Sequence, residues 1–175
     1  TIMLDGVRYD LNDGDFPTID PTNPFIMSEE EQEVVKRLRK SFMNSLRLND
    51  HVKVLFSKGS MYKVFNENLL LHGCVPMEEN GDFMKIPIGR DYYEGREALD
   101  ELERLARQGY FNTDEVLKEQ GLDAMWYLWC GPASPLFGKT KMATFERYYI
   151  DNTETHKKEK NPYYHNREEV EWISK

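Results

Sequence analysis

Cysteine is scarce in this sequence: Cys74 and Cys130 are the whole supply in 175 residues. Two thiols without C-x-x-C spacing exclude a disulfide framework and suit reduced thiols in a cytoplasmic protein. Long apolar runs are missing as well. The longest falls far short of the ~20 residues that cross a bilayer, and the polar, acidic stretch from Thr1 to Asp15 does not read as a signal peptide. Positive charge is in deficit, with 23 Lys and Arg against 31 Asp and Glu and a net charge of −8. That balance argues against nucleic acid or an anionic membrane as the main partner. It does not exclude a small phosphorylated substrate, which a local cluster of cations can hold. Histidine is rare, and no H-x-H or H-E-x-x-H pair occurs. Internal repeats and low-complexity segments are absent.

What is present suffices for a core, with 39% hydrophobic and 13% aromatic residues. Ile2 to Leu11 reads as a hairpin turning at Asp5-Gly6. Asn12 to Pro24 is an irregular, proline-bearing connection. Ser28 and Glu31 form a capping box that opens a helix to about Leu46, with Val34, Val35, Leu38, Phe42 and Leu46 on one face. Residues 51–56 alternate and read as a strand. With strands over 61–65 and 69–72 they make a β-meander. Asp82 to Ile88 and Asp91 to Tyr93 form a further hairpin across Gly89.

The rest reads as mostly helical. A helix runs from about Gly95 to Gln108, stopped by Gly109. Thr113 caps another, which carries Met125-Trp126-Tyr127-Leu128-Trp129. Gly131 to Pro135 is rigid and helix-free. Residues 142–149 form a short helix or strand, and 151–164 a polar loop. The abrupt start at Ile2-Met3-Leu4 and the truncated helix from Glu168 to Lys175 suggest an internal piece of a longer protein. The expected organisation is a central segment of a larger domain: 1–27 hairpin and linker, 28–93 helix plus β-meander, 94–175 mostly helical.

Five groups could carry chemistry. His72 stands at the end of the strand Leu69-Leu70-Leu71, which reads as buried, and Gly73 lets the backbone turn after it. A strand that delivers a neutral imidazole to its end is one way to place a metal ligand. The competing reading is a buried histidine bonded to a carbonyl. Cys74 reads as a small buried apolar side chain rather than a nucleophile. The aromatic run around Trp126 normally means core or interface, while Trp129 and the following Gly-Pro turn could wall a pocket. Lys139, Lys141 and Arg147 form a cationic set suited to phosphate, against the usual outcome of a solvated face. His156 and His165, in a polar loop, read as surface residues.

Taken together, several strings resemble the class III fructose-1,6-bisphosphatases of bacteria. They are Leu69-Leu-Leu-His-Gly-Cys-Val-Pro76, Met125-Trp-Tyr-Leu-Trp-Cys-Gly-Pro-Ala-Ser-Pro-Leu-Phe-Gly138, Met142-Ala-Thr-Phe-Glu-Arg-Tyr148, and Thr155-His-Lys157 with Asn161-Pro-Tyr-Tyr164. The segments Asp15 to Asp20 and Lys58 to Tyr62 fit as well. That family is similar to the calcineurin-like metallophosphatases. The resemblance implies an α+β fold, part of a calcineurin-like β-sandwich with flanking helices and a dinuclear metal site at strand ends. His72-Gly73-Cys74 is similar to a His-Gly-Gly string whose histidine binds metal. The superfamily's D-x-H, G-D-x-x-D-R-G, G-N-H-E and late G-H motifs do not occur in this sequence.

The resemblance therefore implies a piece of a phosphoric monoester hydrolase that removes the 1-phosphate of fructose 1,6-bisphosphate in gluconeogenesis. It implies His72 as a metal ligand, manganese as the metal, and Lys139, Lys141 and Arg147 as holders of substrate phosphate. No catalytic acid or base is assigned within the chain, and the piece alone is expected to be inactive. The implied partners are the sugar bisphosphate and the remaining parts of the same enzyme, with room for a homo-oligomer. Two alternatives stand beside this: a non-catalytic regulatory or oligomerisation module, or a metallophosphatase acting on another phosphoester.

Overall fold

The computed structural model describes residues 1–173. In chain order the elements are β1 (Ile2–Leu4), β2 (Val7–Tyr9), α1 (Glu29–Met43), α2 (Leu46–Lys58), β3 (Tyr62–Phe65) and β4 (Asn68–Leu71). They continue with β5 (Ile86–Ile88), β6 (Asp91–Tyr93), α3 (Gly95–Phe111), α4 (Glu115–Cys130), α5 (Thr144–Tyr149), a 3-10 turn (Thr153–His156), α6 (Tyr163–Asn166) and α7 (Val170–Ile173). The strands pair only within hairpins, giving three two-stranded antiparallel sheets among the described residues. The chain divides into two compact units: Thr1–Gly59 with Phe145–Thr153, and Ser60–Thr144 with the segment from Glu154 on.

The first unit starts with the expected hairpin. Asp5 (φ 50°) and Gly6 (φ 78°) both take the left-handed region that a two-residue turn of this hand requires. The capping box of α1 also forms: the Glu31 N–H donates to Ser28 Oγ (3.2 Å) and the Ser28 N–H to Glu31 Oε2 (2.7 Å). The Thr18 hydroxyl donates to Glu31 Oε1 (2.7 Å). Thr18 first, then Ser28, hold this carboxyl below the usual carboxylate range. Segment 145–153 is tied to the chain near Asn12, whose N–H donates to the Tyr149 carbonyl (2.8 Å) while its side chain donates to Asp151 (2.8 Å). The Phe16 ring meets Tyr149 edge-on at 5.5 Å.

Two expectations fail in this unit. Residues 51–56 are not the first strand of a meander but lie inside α2, whose N-cap Ser45 accepts from the Leu48 N–H (3.2 Å). Val52, Val54 and Phe56 alternate, but Leu48, Val52, Leu55 and Phe56 also satisfy a helical period. The Ser45 cap gives that alternative a start. The Ser45 cap also ends α1 at Met43 rather than near Leu46, which opens α2, and the α1 face stays open, with Val34, Val35, Leu38 and Phe42 all exposed.

The second unit is built on an α3–α4 hairpin joined by three residues. Ala98, Leu99, Leu102, Leu105 and Gly109 line the buried face of α3. Ile86, Ala98, Leu102 and Leu128 form the centre of the core, with Ile88, Tyr93, Ala133 and Leu136 packed against it. Each fully buried Leu or Ile contributes roughly 1.5–3 kcal/mol.

Gly109 does not stop α3, which runs on to Phe111. Its role is close packing: a Cβ there would lie 2.7 Å from the Gly121 carbonyl carbon, and one on Gly121 would lie 2.6 Å from the Leu105 carbonyl oxygen. The helices touch backbone to backbone. The Gln108 amide fastens the crossing by donating to the Leu117 carbonyl (2.6 Å). Asp114, one residue past Thr113, caps α4 by accepting from the Leu117 N–H (3.0 Å).

The Gly–Gly contact sets a prediction. Alanine favours a helix interior over glycine by about 1 kcal/mol, but here its methyl would overlap backbone that cannot move aside. Gly121→Ala is expected to destabilise the fold by about 1–3 kcal/mol, the usual cost of overpacking, in urea unfolding followed by circular dichroism. A gain in stability would contradict the close crossing.

Candidate active-site segment

Three of the strings that carry the resemblance, 69–76, 125–138 and 161–164, converge in the second unit. The segment after β4 approaches the loop after α4 so closely that a Cβ on Gly73 would overlap the Pro135 carbonyl oxygen. The Cys74 N–H donates to that same oxygen (2.9 Å). Only glycine permits the approach, which explains the His-Gly pairing by packing.

The loop itself folds around one hydroxyl. Ser134, 1% exposed, donates to the Leu128 carbonyl (2.6 Å) and accepts from the N–H groups of Leu136 and Phe137 (3.2 Å each). It thereby satisfies a carbonyl orphaned at the end of α4. Gly138 closes the loop with φ 60°, and its N–H donates to the Ser134 carbonyl (2.8 Å).

The third string is bound in by Asn161, 5% exposed. Its Oδ1 accepts from the N–H groups of Met77 (3.0 Å) and Tyr163 (3.0 Å), while its Nδ2 donates to the Met77 carbonyl (3.3 Å). Its own N–H donates to the Gly138 carbonyl (3.0 Å). The carboxamide thus mimics a strand neighbour for Met77, and together with the backbone N–H of Asn161 it joins 72–77, 131–138 and 161–164. Beside it, Lys139 and Lys160 form an isolated β-bridge, and the Thr140 N–H donates to the Glu159 carbonyl (3.0 Å).

His72 is exposed, directly after β4 and next to the Gly73 contact. The reading of a buried core histidine is therefore wrong, and so is that of a buried strand, since Leu69 and Leu70 are about half exposed. Cys74 matches the expectation of an inert thiol: it is fully buried, and burial pushes its pKa up to about 11. Lys139 is half-buried, with its ammonium 5.8 Å from the centre of the Phe137 ring, and Lys141 is half-buried as well. Arg147 lies exposed on α5 and belongs to the first unit. His165 is exposed and His156 half-buried.

Trp126 is not a core residue. It is 64% exposed and Trp129 60%.

As a metal centre the segment is incomplete. Among the described residues no three His, Cys, Asp or Glu side chains gather in a way that would hold an ion. His72 alone does not fit a divalent metal, which takes several donors. A separate groove of about 560 Å3 lies between β3 and α3, with Tyr62, Lys63, Asp100, Glu103, Arg104 and Arg107 on its walls. Its arginines are engaged: Arg104 with Glu101 (2.6 Å) and Arg107 with Glu103 (2.8 Å).

Ser134 and Asn161 lie within the strings with no chemistry read for them; the sequence signal of their roles is a polar residue fixed beside a proline within an otherwise aromatic or apolar string.

This assembly of strings marks one family. The family model described as Firmicute fructose-1,6-bisphosphatase matches residues 1–175, and the chain belongs to that family. It is 52% identical to the class 3 fructose-1,6-bisphosphatase of Clostridium acetobutylicum over 170 residues, which are 97% of this chain and 26% of that protein. It is 50% identical to the class 3 enzyme of Clostridium botulinum strain Loch Maree over 165 residues, 94% of this chain and 25% of that one. The Clostridium tetani protein of the same name is 48% identical over 172 residues, 98% and 26%. The chain therefore spans about a quarter of the length of the curated relatives it matches. No solved structure matches it.

Two outcomes test the assembly. Asn161→Ala strands the buried backbone groups of Met77, each costing about 1–3 kcal/mol, so a loss of about 2–4 kcal/mol is expected in urea unfolding. A loss below about 0.5 kcal/mol, the range of ordinary surface changes, would contradict the clamp. In the native chain Cys130 should react with a neutral thiol reagent while Cys74 stays unmodified up to about pH 9. Equal rates for both thiols would refute the burial of Cys74.

Proposed function

We propose that the chain is a segment of a cytoplasmic fructose-1,6-bisphosphatase that removes the 1-phosphate of fructose 1,6-bisphosphate, a gluconeogenic step. The observation that carries this reading is the unbroken family match over residues 1–175. It is supported by the convergence of the three strings at Gly73, Pro135 and Asn161. In the described residues no helix is long and apolar enough to cross a membrane, as this reading requires.

The fold proposed for the whole enzyme is the calcineurin-like β-sandwich, to which this chain contributes a part. The β3–β4 hairpin suits such a place. It has two strands and two free edges, and Val64, Phe65, Leu69 and Leu70 are 51–62% exposed. A bare apolar hairpin in water is unstable and prone to pairing with another strand.

Within the enzyme, His72 is proposed to give one nitrogen to a manganese ion whose other donors are not among the described residues. When bound, a pair of such ions would supply Lewis-acid activation of water and of the phosphoryl group. This chain's own contribution is positional. Gly73 and Asn161 hold the backbone on either side of Cys74, so the imidazole projects from a fixed base. Lys139 and Lys141 in the second unit, and Arg147 in the first, are each proposed as a cation for substrate phosphate. The half-burial of both lysines favours fixed placement over free solvation.

Two measurements test the reading. The purified 175-residue chain should release no phosphate from fructose 1,6-bisphosphate with manganese present, since it lacks a donor set; turnover would sink that claim. In a full-length enzyme carrying this chain, His72→Ala should lose one metal ion per protomer and most activity, the usual effect of losing a ligand. Unchanged metal content by elemental analysis would refute the ligand role.

A further inference from the structure

One face of α4 is bare. Leu122, Met125, Trp126 and Trp129 recur at i, i+3, i+4 and i+7, so they form one stripe along the helix. Their exposures are 50%, 37%, 64% and 60%. The other side of α4 already buries Gly121, Ala124 and Leu128 in the unit's core. From Gly121 to Cys130 the only charged side chain is Asp123. A helix apolar on both sides is a helix meant to be covered on both sides. The two indoles are set edge to face, with ring centroids 5.1 Å apart. Each therefore restricts the other, which gives a rigid aromatic surface of the kind that anchors interfaces.

What covers it follows from the size of the relatives. The chain accounts for 26% of the Clostridium acetobutylicum polypeptide, so a class 3 enzyme has roughly three-quarters of its length outside the matched span. A partner on the same polypeptide acts at an effective concentration near the millimolar range. A second copy must instead associate from dilute solution.

We propose that the Leu122–Met125–Trp126–Trp129 stripe is the surface on which the remainder of a class 3 polypeptide docks, burying both indoles within a single protomer. The proposal rests on the family reading but not on the phosphatase chemistry. The partner surface is apolar and drawn from the same chain, and the stripe is covered before any oligomer forms.

Hydroxyl-radical footprinting read by mass spectrometry tests this residue by residue. The 175-residue chain is compared with a full-length class 3 polypeptide carrying it in place of the matched span, diluted to a monomer by sedimentation. Oxidation of Trp126 and Trp129 is expected to slow at least about fivefold in the full-length monomer, as for a patch removed from solvent. Unchanged rates, or protection only in oligomers, would overturn the proposal; the latter would assign the stripe to a second copy.

A second arm does not depend on the exchanged span folding. Trp126→Glu with Trp129→Glu should leave the melting of the 175-residue chain nearly unchanged. Glutamates at the two matched positions of the Clostridium acetobutylicum enzyme should lower its melting by several degrees. Equal effects in both proteins would refute the docking role. Phosphate release measured on the unmodified full-length sample separates the two readings: activity with unprotected indoles sinks the docking alone, and inactivity with protected indoles sinks the phosphatase reading alone.

Discussion

The second unit depends on a buried carboxamide. Asn161 supplies an acceptor to Met77 and Tyr163 and a donor to Met77, and its backbone reaches Gly138. Among the described residues the three segments 72–77, 131–138 and 161–164, far apart in sequence, share no sheet to align them: the strands pair only within hairpins, and an isolated Lys139–Lys160 bridge lies beside the clamp. Side-chain mimicry of a strand takes that role. The arrangement works only because the site is dry and each group is satisfied, the condition under which a buried polar network stabilises rather than costs. Ser134 repeats the principle on a smaller scale, turning the end of α4 into the loop that meets Gly73.

The faces of α1, α4 and the β3–β4 hairpin all present large hydrophobic side chains to solvent. Scattered exposed leucines need no explanation, but stripes with helical or strand periodicity do. The chain spans about a quarter of the length of its relatives, and under the proposed docking the α4 stripe is covered by the remainder of such a polypeptide. His72 is also exposed, beside a backbone held by close packing. A single imidazole does nothing alone, yet it stands at a strand end held on one side by Gly73 packing.

Much of this was legible in the sequence, and the reasons are local. The Asp5-Gly6 turn, the Ser28–Glu31 box and the apolar period of α3 are written in consecutive residues. Residues 51–56 were misread because period 2 and period 3.6 coincide over so short a run. Only the Ser45 cap separates them. Gly109 was misread because a glycine that ends a helix and one that admits a neighbouring helix look alike until Gly121 is placed against it. The run around Trp126 reads as core or interface because aromaticity signals burial without saying in which molecule, and the 64% exposure of Trp126 removes the core of this chain from that choice. His72 was picked out by its frame of leucines, and those leucines turned out to be half exposed. The Asn161 clamp was illegible, since its partner Met77 lies 84 residues away.

Residues 72–77, 131–138 and 161–164 form one clamped assembly, which amide hydrogen exchange on the 175-residue chain reads out. The N–H groups of Cys74 and Met77 donate to Pro135 and Asn161, and they are expected to exchange together. Their rate should be about a hundredfold or more below that of the amides in the exposed β3–β4 hairpin, as for groups released only by cooperative opening. Exchange as fast as the hairpin's, or widely different rates for the two amides, would contradict it.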